Sequence, residues 1–363
     1  MSQRTLWPSP YGKIASRMIF ANLLKDVIRQ GLCIGCGTCV AVCPVNALIM
    51  QDETPRLMGA CIRCGYCYYS CPITTDEHFK GFENEQKRIE LKAFEKVREE
   101  PFGVYDTIYV AKDAKLENIL RAILRYLLES KIIDLIATYG NLNPVLDNMV
   151  SKPRPSILPS PILIDNPDKI EEVNFLTIFS PPSALSLRAA ADEYYASFFQ
   201  ASYKPSICYL APPSHIRAIW RMRLGWYSNS KIEECIKLLI TIFNRNYYSI
   251  TQLKKILLEK NVDISKITDF KILDGGIEFL YNGKSVILSN EELNKALHGG
   301  MSKIKDITGE YADISIGNIQ NMTIIIIRNK SYKGYVESAI EARGIKLEEA
   351  GDEILELLRG LYQ

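Results

Sequence analysis

Eight of the ten cysteines in this 363-residue chain follow a single pattern that occurs twice. Each copy reads Cys-x-x-Cys-x-x-Cys-x-x-x-Cys-Pro, beginning at Cys33 in the first copy and at Cys61 in the second. Three thiolates at this spacing can bind one face of an iron–sulfur cube, and the fourth, one helical turn further on, reaches a second cube. The pattern therefore predicts two 4Fe-4S clusters. The predicted ligands are Cys33, Cys36, Cys39 and Cys71 for cluster 1, and Cys61, Cys64, Cys67 and Cys43 for cluster 2.

The residues around the cysteines repeat as well, as expected for a pseudo-symmetric two-cluster ferredoxin. The corresponding pairs are Ile34 and Ile62, Gly37 and Gly65, and Pro44 and Pro72. A structural zinc site needs only paired Cys-x-x-Cys units and would leave the third cysteine of each triplet unused. A disulfide framework needs an oxidising compartment, and the chain shows no secretory signal. Iron–sulfur chemistry is therefore favoured. The two other cysteines, Cys208 and Cys235, lie in apolar segments and are predicted to be buried core thiols.

The composition is ordinary for a soluble globular protein, with 47% hydrophobic and 24% charged residues. The 44 basic residues nearly balance the 42 acidic ones, so the overall charge does not indicate a nucleic-acid partner. No apolar run approaches the roughly 18 residues that cross a bilayer. We therefore expect a cytoplasmic protein that reaches a membrane only through a partner subunit.

The elements that must position the cysteines divide the chain into a small and a large unit. Residues 16–30 have the apolar spacing of a helix, which stops at Gly31 just before the first cysteine loop. Residues 76–100 are dense in charge and predict a solvated helix or linker. The predicted domains are a two-cluster ferredoxin-like domain at 1–78, a charged linker at 79–103 and a larger mixed α/β domain at 104–363. The predicted fold class is α+β.

The large unit alternates between short apolar strands and helices, which favours a mixed sheet covered by helices. Predicted strands are 105–111, 132–139, 207–210 and 322–328, and predicted helices are 116–130, 186–199 and 250–259, with a helix running into a strand at 232–242. Five prolines between residues 153 and 167 predict a long extended loop. Residues 270–288 predict a meander with a hairpin turn at Asn282-Gly283. Strand 322–328 is predicted to close the sheet.

The chain resembles the beta subunits of coenzyme F420 hydrogenases and dehydrogenases, joined to an N-terminal two-cluster ferredoxin. The resemblance covers nearly the whole length and is carried by residues 27–33, 126–134 and 312–317. It implies that a flavin in the large domain exchanges hydride with the deazaflavin coenzyme, while iron–sulfur clusters relay single electrons. It also implies other redox subunits or a ferredoxin as partners. The region in which this resemblance would place FAD includes Ser214, His215, Asp313, Ser315 and Gly317.

The departures from the family are as informative as the matches. The family usually has Asp-Gly-Gly before its first core helix, where this chain has Leu116-Glu117-Asn118. Relatives also carry four cysteines that bind an inner cluster beside the flavin. Met301 and Ile304, at two of these positions, offer no hard replacement ligand, so we expect the inner cluster to be absent. The four matching positions are Ser214, Asn244, Met301 and Ile304.

Two further groups of side chains lie near the predicted site. Arg217 and Arg221 share one predicted helical face, which is either a binding surface for an anionic cofactor or acidic protein, or an ordinary solvated surface. For His215, a structural role competes with a chemical one, because flavin hydride transfer needs no histidine. The tyrosines beside the second cluster are predicted to shield it from water. These are Tyr66, Tyr68 and Tyr69.

Three functional hypotheses remain open at this level. The first is an iron–sulfur flavoprotein subunit of an oxidoreductase, which the near-complete family resemblance favours. The second is a non-catalytic electron-transfer or docking subunit that has lost its flavin, which the missing glycines and missing inner-cluster cysteines favour. The third is a self-standing ferredoxin whose large domain only recognises partners.

Overall fold

The computed structural model describes residues 18–74, 101–140, 159–197, 204–224, 230–244, 246–273 and 275–362. The charged segment 76–100 lies outside the described residues, as does the first part of the proline-rich segment. None of the described helices is long and apolar enough to span a bilayer.

The N-terminal unit is built from short elements around the two cysteine repeats. The predicted helix at 16–30 is confirmed for its central part, as an α-helical turn that continues in π-helical form. A two-stranded antiparallel hairpin that the sequence pattern did not reveal lies between the repeats. The elements are the α-helix Phe20–Leu23, the π-helix Leu24–Ile28, the α-helices Thr38–Ala41 and Tyr66–Tyr69, and the strands β1 (Leu48–Gln51) and β2 (Thr54–Leu57).

The large unit is organised around one mixed sheet of eight strands. Its strands are β3 (Thr107–Ala111), β4 (Leu135–Gly140), β5 (Ser160–Ile164), β6 (Ile207–Leu210), β7 (Ile236–Ile242), β11 (Ile314–Ile319), β12 (Met322–Ile327) and β13 (Glu348–Glu349). They lie in the order β13-β3-β12-β11-β7-β6-β4-β5. The central strands β4, β6, β7 and β11 are parallel, and the outer pairings are antiparallel. The central strands are almost wholly buried because elements cover both faces of the sheet.

Helices cover the two faces of this sheet in different ways. The helices Leu116–Glu129 and Lys333–Glu341 form a core with one face, together with the 3-10 helix Pro167–Glu172. On the other face, the helix Asp352–Gly360 packs over β3 and β12. The helices Ala184–Ser197, Pro213–Leu224 and Ser230–Cys235 and the cysteine repeats occupy the rest of that face. One continuous apolar core therefore joins the cysteine-rich unit to the large unit.

A second, three-stranded sheet forms the predicted meander. Its strands are β8 (Ile267–Leu273), β9 (Gly276–Tyr281) and β10 (Lys284–Ser289), and it packs with the helices Ile250–Glu259 and Asn290–Asn294. The hairpin turn at Asn282-Gly283 is confirmed, since both residues have positive φ, 47° and 72°. The prediction that strand 322–328 closes the main sheet is wrong. β12 lies between β11 and β3, and the edges are β13 and β5.

The proline-rich segment is only partly a loop. Within its described part, Pro161 lies in β5, and Pro167 begins a 3-10 helix. A proline is compatible with β5 because that strand is at the edge of the sheet, where one side of the backbone needs no hydrogen-bond partner. The remaining short 3-10 helices are Ile264–Lys266, Gly299–Lys303 and Lys330–Tyr332.

Candidate iron–sulfur site

Two cavities in the N-terminal unit are each lined by four cysteines. The first is lined by Cys33, Cys36, Cys39 and Cys71. The second is lined by Cys43, Cys61, Cys64 and Cys67. Each cavity thus collects three cysteines from one repeat and the fourth cysteine of the other, so the structure brings together the two sets of four named from the spacing.

Two glycines at equivalent positions give the cysteine loops their shape. Gly37 and Gly65 have φ values of 76° and 85°, and each immediately precedes a short helix that carries the third cysteine of its repeat. This left-handed conformation favours glycine because it lacks a Cβ. A Cβ at Gly65 would lie 2.5 Å from the carbonyl oxygen of Met18, so close packing also excludes a side chain there.

The cavities are electrostatically suited to a positively charged centre. Burial, with smaller contributions from neighbouring thiolates, raises the pKa of the Cys67 thiol to about 12 and that of Cys71 to about 11. Burial and the thiolates of Cys36 and Cys33 likewise raise the pKa of Cys39. Four thiolates in one buried cavity therefore repel each other unless cations neutralise them. Sets of soft thiolate ligands bind iron–sulfur clusters as well as other thiophilic metals. The four cysteines of each cavity therefore fit a 4Fe-4S cube.

Backbone amides support two of the cysteine sulfurs in the second cavity. The amide of Ala47 donates to Cys43 Sγ over 3.3 Å, and the amide of Arg63 donates to Cys61 Sγ over 3.4 Å. Hydrogen bonds to cluster sulfurs stabilise added negative charge and therefore tune the reduction potential of a cluster.

The two cavities differ in their surroundings. The first lies against the large unit, where the Ala184 amide donates to the Cys36 carbonyl oxygen over 3.4 Å. A Cβ on Gly37 would be 3.2 Å from Pro182 of the same segment. The second cavity lies near the surface, where Cys61 is exposed and Cys64 is partly exposed. One cluster position therefore faces the interior of the protein, and the other faces solvent.

Two buried arginines from the large unit hold the backbone at the fourth cysteine of each repeat. Arg188 donates from Nη1 to the carbonyl oxygens of Ala41, over 3.0 Å, and Cys43, over 2.9 Å. Arg221 donates to the carbonyl oxygen of Cys71 and to Thr74, whose Oγ1 is at 2.8 Å and whose carbonyl oxygen is at 2.9 Å. In each repeat, an arginine of the large unit therefore donates to the carbonyl oxygen of the fourth cysteine.

For Arg221, this arrangement corrects both predictions made for the arginine face. Arg221 is only 1% exposed, so it forms neither a solvated surface nor a binding surface for an external anion. The positive charge is used inside the chain, on the cysteine loop. Arg217 is half-buried on the same helix, and Trp220 beside it donates to the carbonyl oxygen of Tyr311.

Glu53, in the turn of the β1–β2 hairpin, is a third link between the units. Its carboxylate accepts hydrogen bonds from Ser249 Oγ (2.8 Å) and from the amides of Ile250 (2.6 Å) and Thr251 (3.1 Å), at the start of the helix Ile250–Glu259. His298 Nε2 lies 3.2 Å from Glu53 Oε1. Burial alone would raise the pKa of Glu53, but the His298 contact and these donors outweigh it and lower the pKa to about 2.

Glu53 also lies beside the first cavity, since Cys33 Sγ is 3.7 Å from its carbonyl oxygen. Glu53 could not be singled out from the sequence, because its partners are almost 200 positions away. The only local signal is that Glu53 is an acidic residue in a hairpin turn between the two cysteine repeats. Acidic residues in turns are common on any protein surface.

Comparisons with known proteins agree with this architecture. Residues 205–353 match the family described as the C terminus of the coenzyme F420 hydrogenase/dehydrogenase beta subunit. Residues 25–72 match the family described as 4Fe-4S dicluster domain. The chain is therefore similar to coenzyme F420 hydrogenase/dehydrogenase beta subunits over residues 205–353, and to 4Fe-4S dicluster domains over residues 25–72.

Similar proteins occur in Methanocaldococcus and Methanosarcina. An uncharacterised protein of Methanocaldococcus jannaschii is 23% identical over 88% of this chain and 90% of its own length. The coenzyme F420-dependent sulfite reductase of the same organism is 23% identical over 90% of this chain, which spans 49% of that relative. The coenzyme F420 hydrogenase subunit gamma of Methanosarcina barkeri is 54% identical over only 37 residues. A chain of the F420-reducing NiFe hydrogenase complex of Methanosarcina barkeri shares the fold, with a TM-score of 0.56, 18% identity, and coverage of 74% of this chain and 90% of that one.

Two residues of the region in which the resemblance would place FAD, Ser214 and His215, lie at the start of the helix that follows β6. His215 is fully buried, with Nδ1 2.7 Å from Ser183 Oγ and Nε2 3.1 Å from Ser180 Oγ. Burial, with a smaller contribution from His298, lowers the pKa of His215 to about 3, so the ring is neutral. Ser183 also contacts the hydroxyl of Tyr209 at 2.8 Å. Ser214 Oγ is buried and has no hydrogen-bond partner among the described residues.

The other three residues of the flavin region lie on or beside β11 and are occupied by contacts within the chain. Asp313 accepts hydrogen bonds from the Leu239 amide (2.8 Å) and from Asn329 Nδ2 (3.1 Å). Ser315 donates to the carbonyl oxygen of Gly309 over 3.2 Å. The ring of Phe243 fills the space where a Cβ of Gly317 would be. The strand register places Ser315 level with Thr241 of the neighbouring strand, toward the same end of the sheet as Ser214.

Among the described residues, the four positions that match the inner-cluster cysteines of the family do not come together as one group of metal-binding side chains. Met301 and Ile304 belong to the apolar core shared with the dicluster domain. Asn244 accepts from the Asn246 amide over 2.8 Å. Leu116, at the place of the family glycines, begins a helix and is buried.

The remaining cysteines and the tyrosines take clear positions. Cys208 and Cys235 are buried core thiols, as predicted. Among the three tyrosines, only Tyr66 lines the second cavity. Tyr68 donates to Asp26 Oδ2 over 3.2 Å, and the hydroxyl of Tyr69 accepts from the Met18 amide over 3.3 Å. The prediction that all three shield the second cluster is therefore wrong for Tyr68 and Tyr69, which fasten the N-terminal helix.

Proposed function

We propose that the chain is an electron-relay subunit of an oxidoreductase. Two 4Fe-4S clusters, bound by the two sets of four cysteines, pass single electrons to or from a flavin or deazaflavin of the coenzyme F420 type. The observation that carries this proposal is the pair of four-cysteine cavities, one near the surface and one packed against the large unit. This order gives electrons an exposed entry point and an internal exit point.

The proposal assigns specific tasks to residues of this chain. The eight cysteines hold the clusters, and the amides of Ala47 and Arg63 stabilise negative charge on the second one. Arg188 and Arg221 fix the cysteine loops against the large unit, so that the first cluster keeps a constant position relative to any acceptor there. Apolar residues such as Val27 and Ile34 line the first cavity and keep water from it.

The proposed acceptor side is the end of the sheet where Ser214 begins a helix. Ligands of parallel sheets commonly bind at the carboxyl ends of the strands, and helix N-termini favour anionic groups. The buried hydroxyl of Ser214, without a partner among the described residues, is the one group of the flavin region free to bind such a ligand. A flavin bound there would supply the ability to exchange either one or two electrons.

A second function is favoured by the contacts of the other four residues of the flavin region. His215, Asp313 and Ser315 have their polar groups engaged within the chain, and Phe243 fills the space above Gly317. These contacts suit a large domain that docks a partner and carries no flavin of its own. In that case the clusters still relay electrons, and the flavin or deazaflavin belongs to another subunit.

The flavin content of the anaerobically purified chain separates the two functions. One flavin per chain, with transfer of electrons from the reduced clusters to coenzyme F420, would support the relay to a bound flavin. Reduced clusters without flavin, even after incubation with FAD, would identify the docking subunit. The variant S214A serves as a matched probe, since it should lower flavin affinity while leaving the iron content unchanged. Failure of dithionite-reduced clusters to be reoxidised by any flavin or deazaflavin would contradict the proposed relay.

A further inference from the structure

Exposed apolar side chains are concentrated over the second cysteine cavity. Ten large hydrophobic residues are exposed in the described part of the chain, and four of them belong to the segments around this cavity. Met58 is 70% exposed and Ile62 is 56% exposed. We call these four residues the docking patch. They are Val45, Leu57, Met58 and Ile62.

The docking patch surrounds the most accessible part of the electron path. Val45, Leu57 and Ile62 line the second cavity itself, and Cys61, next to Ile62, is an exposed cysteine. The surface around this cluster site is therefore accessible to another molecule, and these four side chains place no polar groups around the site. Contiguous exposed apolar residues commonly mark sites of protein interaction.

Among the described residues next to the docking patch in the sequence, the charged side chains have a single sign. The exposed residues 44–46 and 56–63 contain two charged side chains, Arg56 and Arg63, and no carboxylate. An apolar centre with a basic rim complements a partner that has an apolar centre and an acidic rim. Such complementarity raises association rates and makes them sensitive to salt.

We propose that the docking patch binds an acidic electron-carrier protein, which exchanges one electron at a time with the second cluster. This inference rests on the proposed relay and names the partner at its exposed end. In each productive encounter the reduced carrier loses one electron, and the second cluster gains it. No proton or leaving group is needed. At the opposite end of the path, the first cysteine loop packs against the large unit through Cys36 and Gly37.

The test uses an acidic bacterial two-cluster ferredoxin as the probe. The ferredoxin is reduced with dithionite, freed of excess reductant, and mixed anaerobically with the oxidised full-length chain in a stopped-flow spectrometer. For M58D we expect the second-order rate constant to fall about tenfold, since an added carboxylate repels the acidic rim and disrupts the apolar contact. The double variant R56Q/R63Q, which removes both positive charges, should lose most of the salt dependence of that rate. The control is I272D, because Ile272 is 64% exposed but lies on β8 of the other sheet.

The outcomes separate this inference from the proposed function. Each variant is first reduced directly with dithionite, which reports on its clusters without any docking. If M58D accepts electrons from dithionite normally and its rate with ferredoxin equals that of I272D, the docking patch is wrong and the relay stands. If the clusters of the unaltered chain cannot be reduced and reoxidised, the proposed function itself fails. A dimer in sedimentation experiments that M58D dissociates would assign the patch to a second copy of this chain and overturn the inference.

Discussion

Arg188 Nη1 donates a 2.9 Å hydrogen bond to the carbonyl oxygen of Cys43, and Arg221 Nη1 donates to the carbonyl oxygen of Cys71. Cys43 and Cys71 are the two cysteines that cross from one repeat to the cavity of the other. The large unit therefore holds the cysteine-rich unit at the two cysteines that its repeats exchange. This symmetry makes the arginines part of the scaffold of the two cysteine cavities.

Replacing Arg188 by methionine should weaken that scaffold. R188M leaves two buried carbonyl oxygens without a donor, and it also removes the partner of Asp192, whose Oδ2 is 2.6 Å from Arg188 Nε. We expect the free energy of unfolding to fall by about 2–4 kcal/mol. Anaerobic urea titrations followed by circular dichroism would measure this. R343M is the control, since Arg343 is exposed. Equal midpoints for R188M and R343M would refute the structural role.

Glu53 should stabilise the contact between the hairpin and the large unit as an anion. Its pKa is lowered from 4.5 to about 2, so its stabilising effect is complete above pH 4.5 and is lost as pH falls toward 2. E53Q should therefore cost about 3 kcal/mol at pH 7. Urea titrations at pH 6 and pH 8 should give the same difference between E53Q and the unaltered chain. Equal stability of E53Q and the unaltered chain at both pH values would contradict the stabilising role of the carboxylate.

His215 should make the protein less stable in mild acid. Its pKa is lowered from 6.5 to about 3, so below pH 6.5 the unfolded chain binds a proton that the folded chain does not. Between pH 7.5 and pH 5.5 this group should cost about 1.4 kcal/mol. H215Q should show a correspondingly smaller loss of stability over that interval, whatever its stability at pH 7.5. Parallel pH profiles for the two proteins would contradict the neutral, buried ring.

Gly317 should be required for packing. G317A places a methyl group where the ring of Phe243 lies, so we expect a loss of about 2–3 kcal/mol even when no flavin is present. The double variant G317A/F243A should lose less stability than the sum of the losses in the two single variants, because the smaller side chain at position 243 leaves room for the added methyl group. G334A, which has open space, is the control and should be neutral or slightly stabilising. A G317A protein of normal stability would contradict this packing role.

The sequence allowed the eight cysteines and their grouping to be named because cluster ligands obey a short, local spacing rule. The same holds for the turn at Asn282-Gly283, which two residues determine. The strands and helices of the large unit were largely predictable because their apolar periodicity is strong, as in the helix Leu116–Glu129.

The parts that could not be predicted depend on contacts between distant segments. Arg188 and the carbonyl oxygen of Cys43 are 145 positions apart, and nothing near Arg188 indicates a partner on a cysteine loop. Arg221 was misread for the same reason, because helical spacing reveals which residues share a face but not what that face contacts. The position of β12 inside the sheet depends on pairing with β3, more than 200 positions earlier, which a local pattern does not encode.

Two measurements made together test the central claim most directly. They are the content of iron and acid-labile sulfide per chain, and the electron paramagnetic resonance spectrum of the dithionite-reduced protein. Two 4Fe-4S clusters predict about eight irons and eight sulfides per chain, with the reduced signal showing interaction between two neighbouring clusters. About four irons would mean that one four-cysteine cavity does not hold a cluster. About twelve would mean that an inner cluster forms despite Met301 and Ile304, and either value would contradict the two-cluster relay.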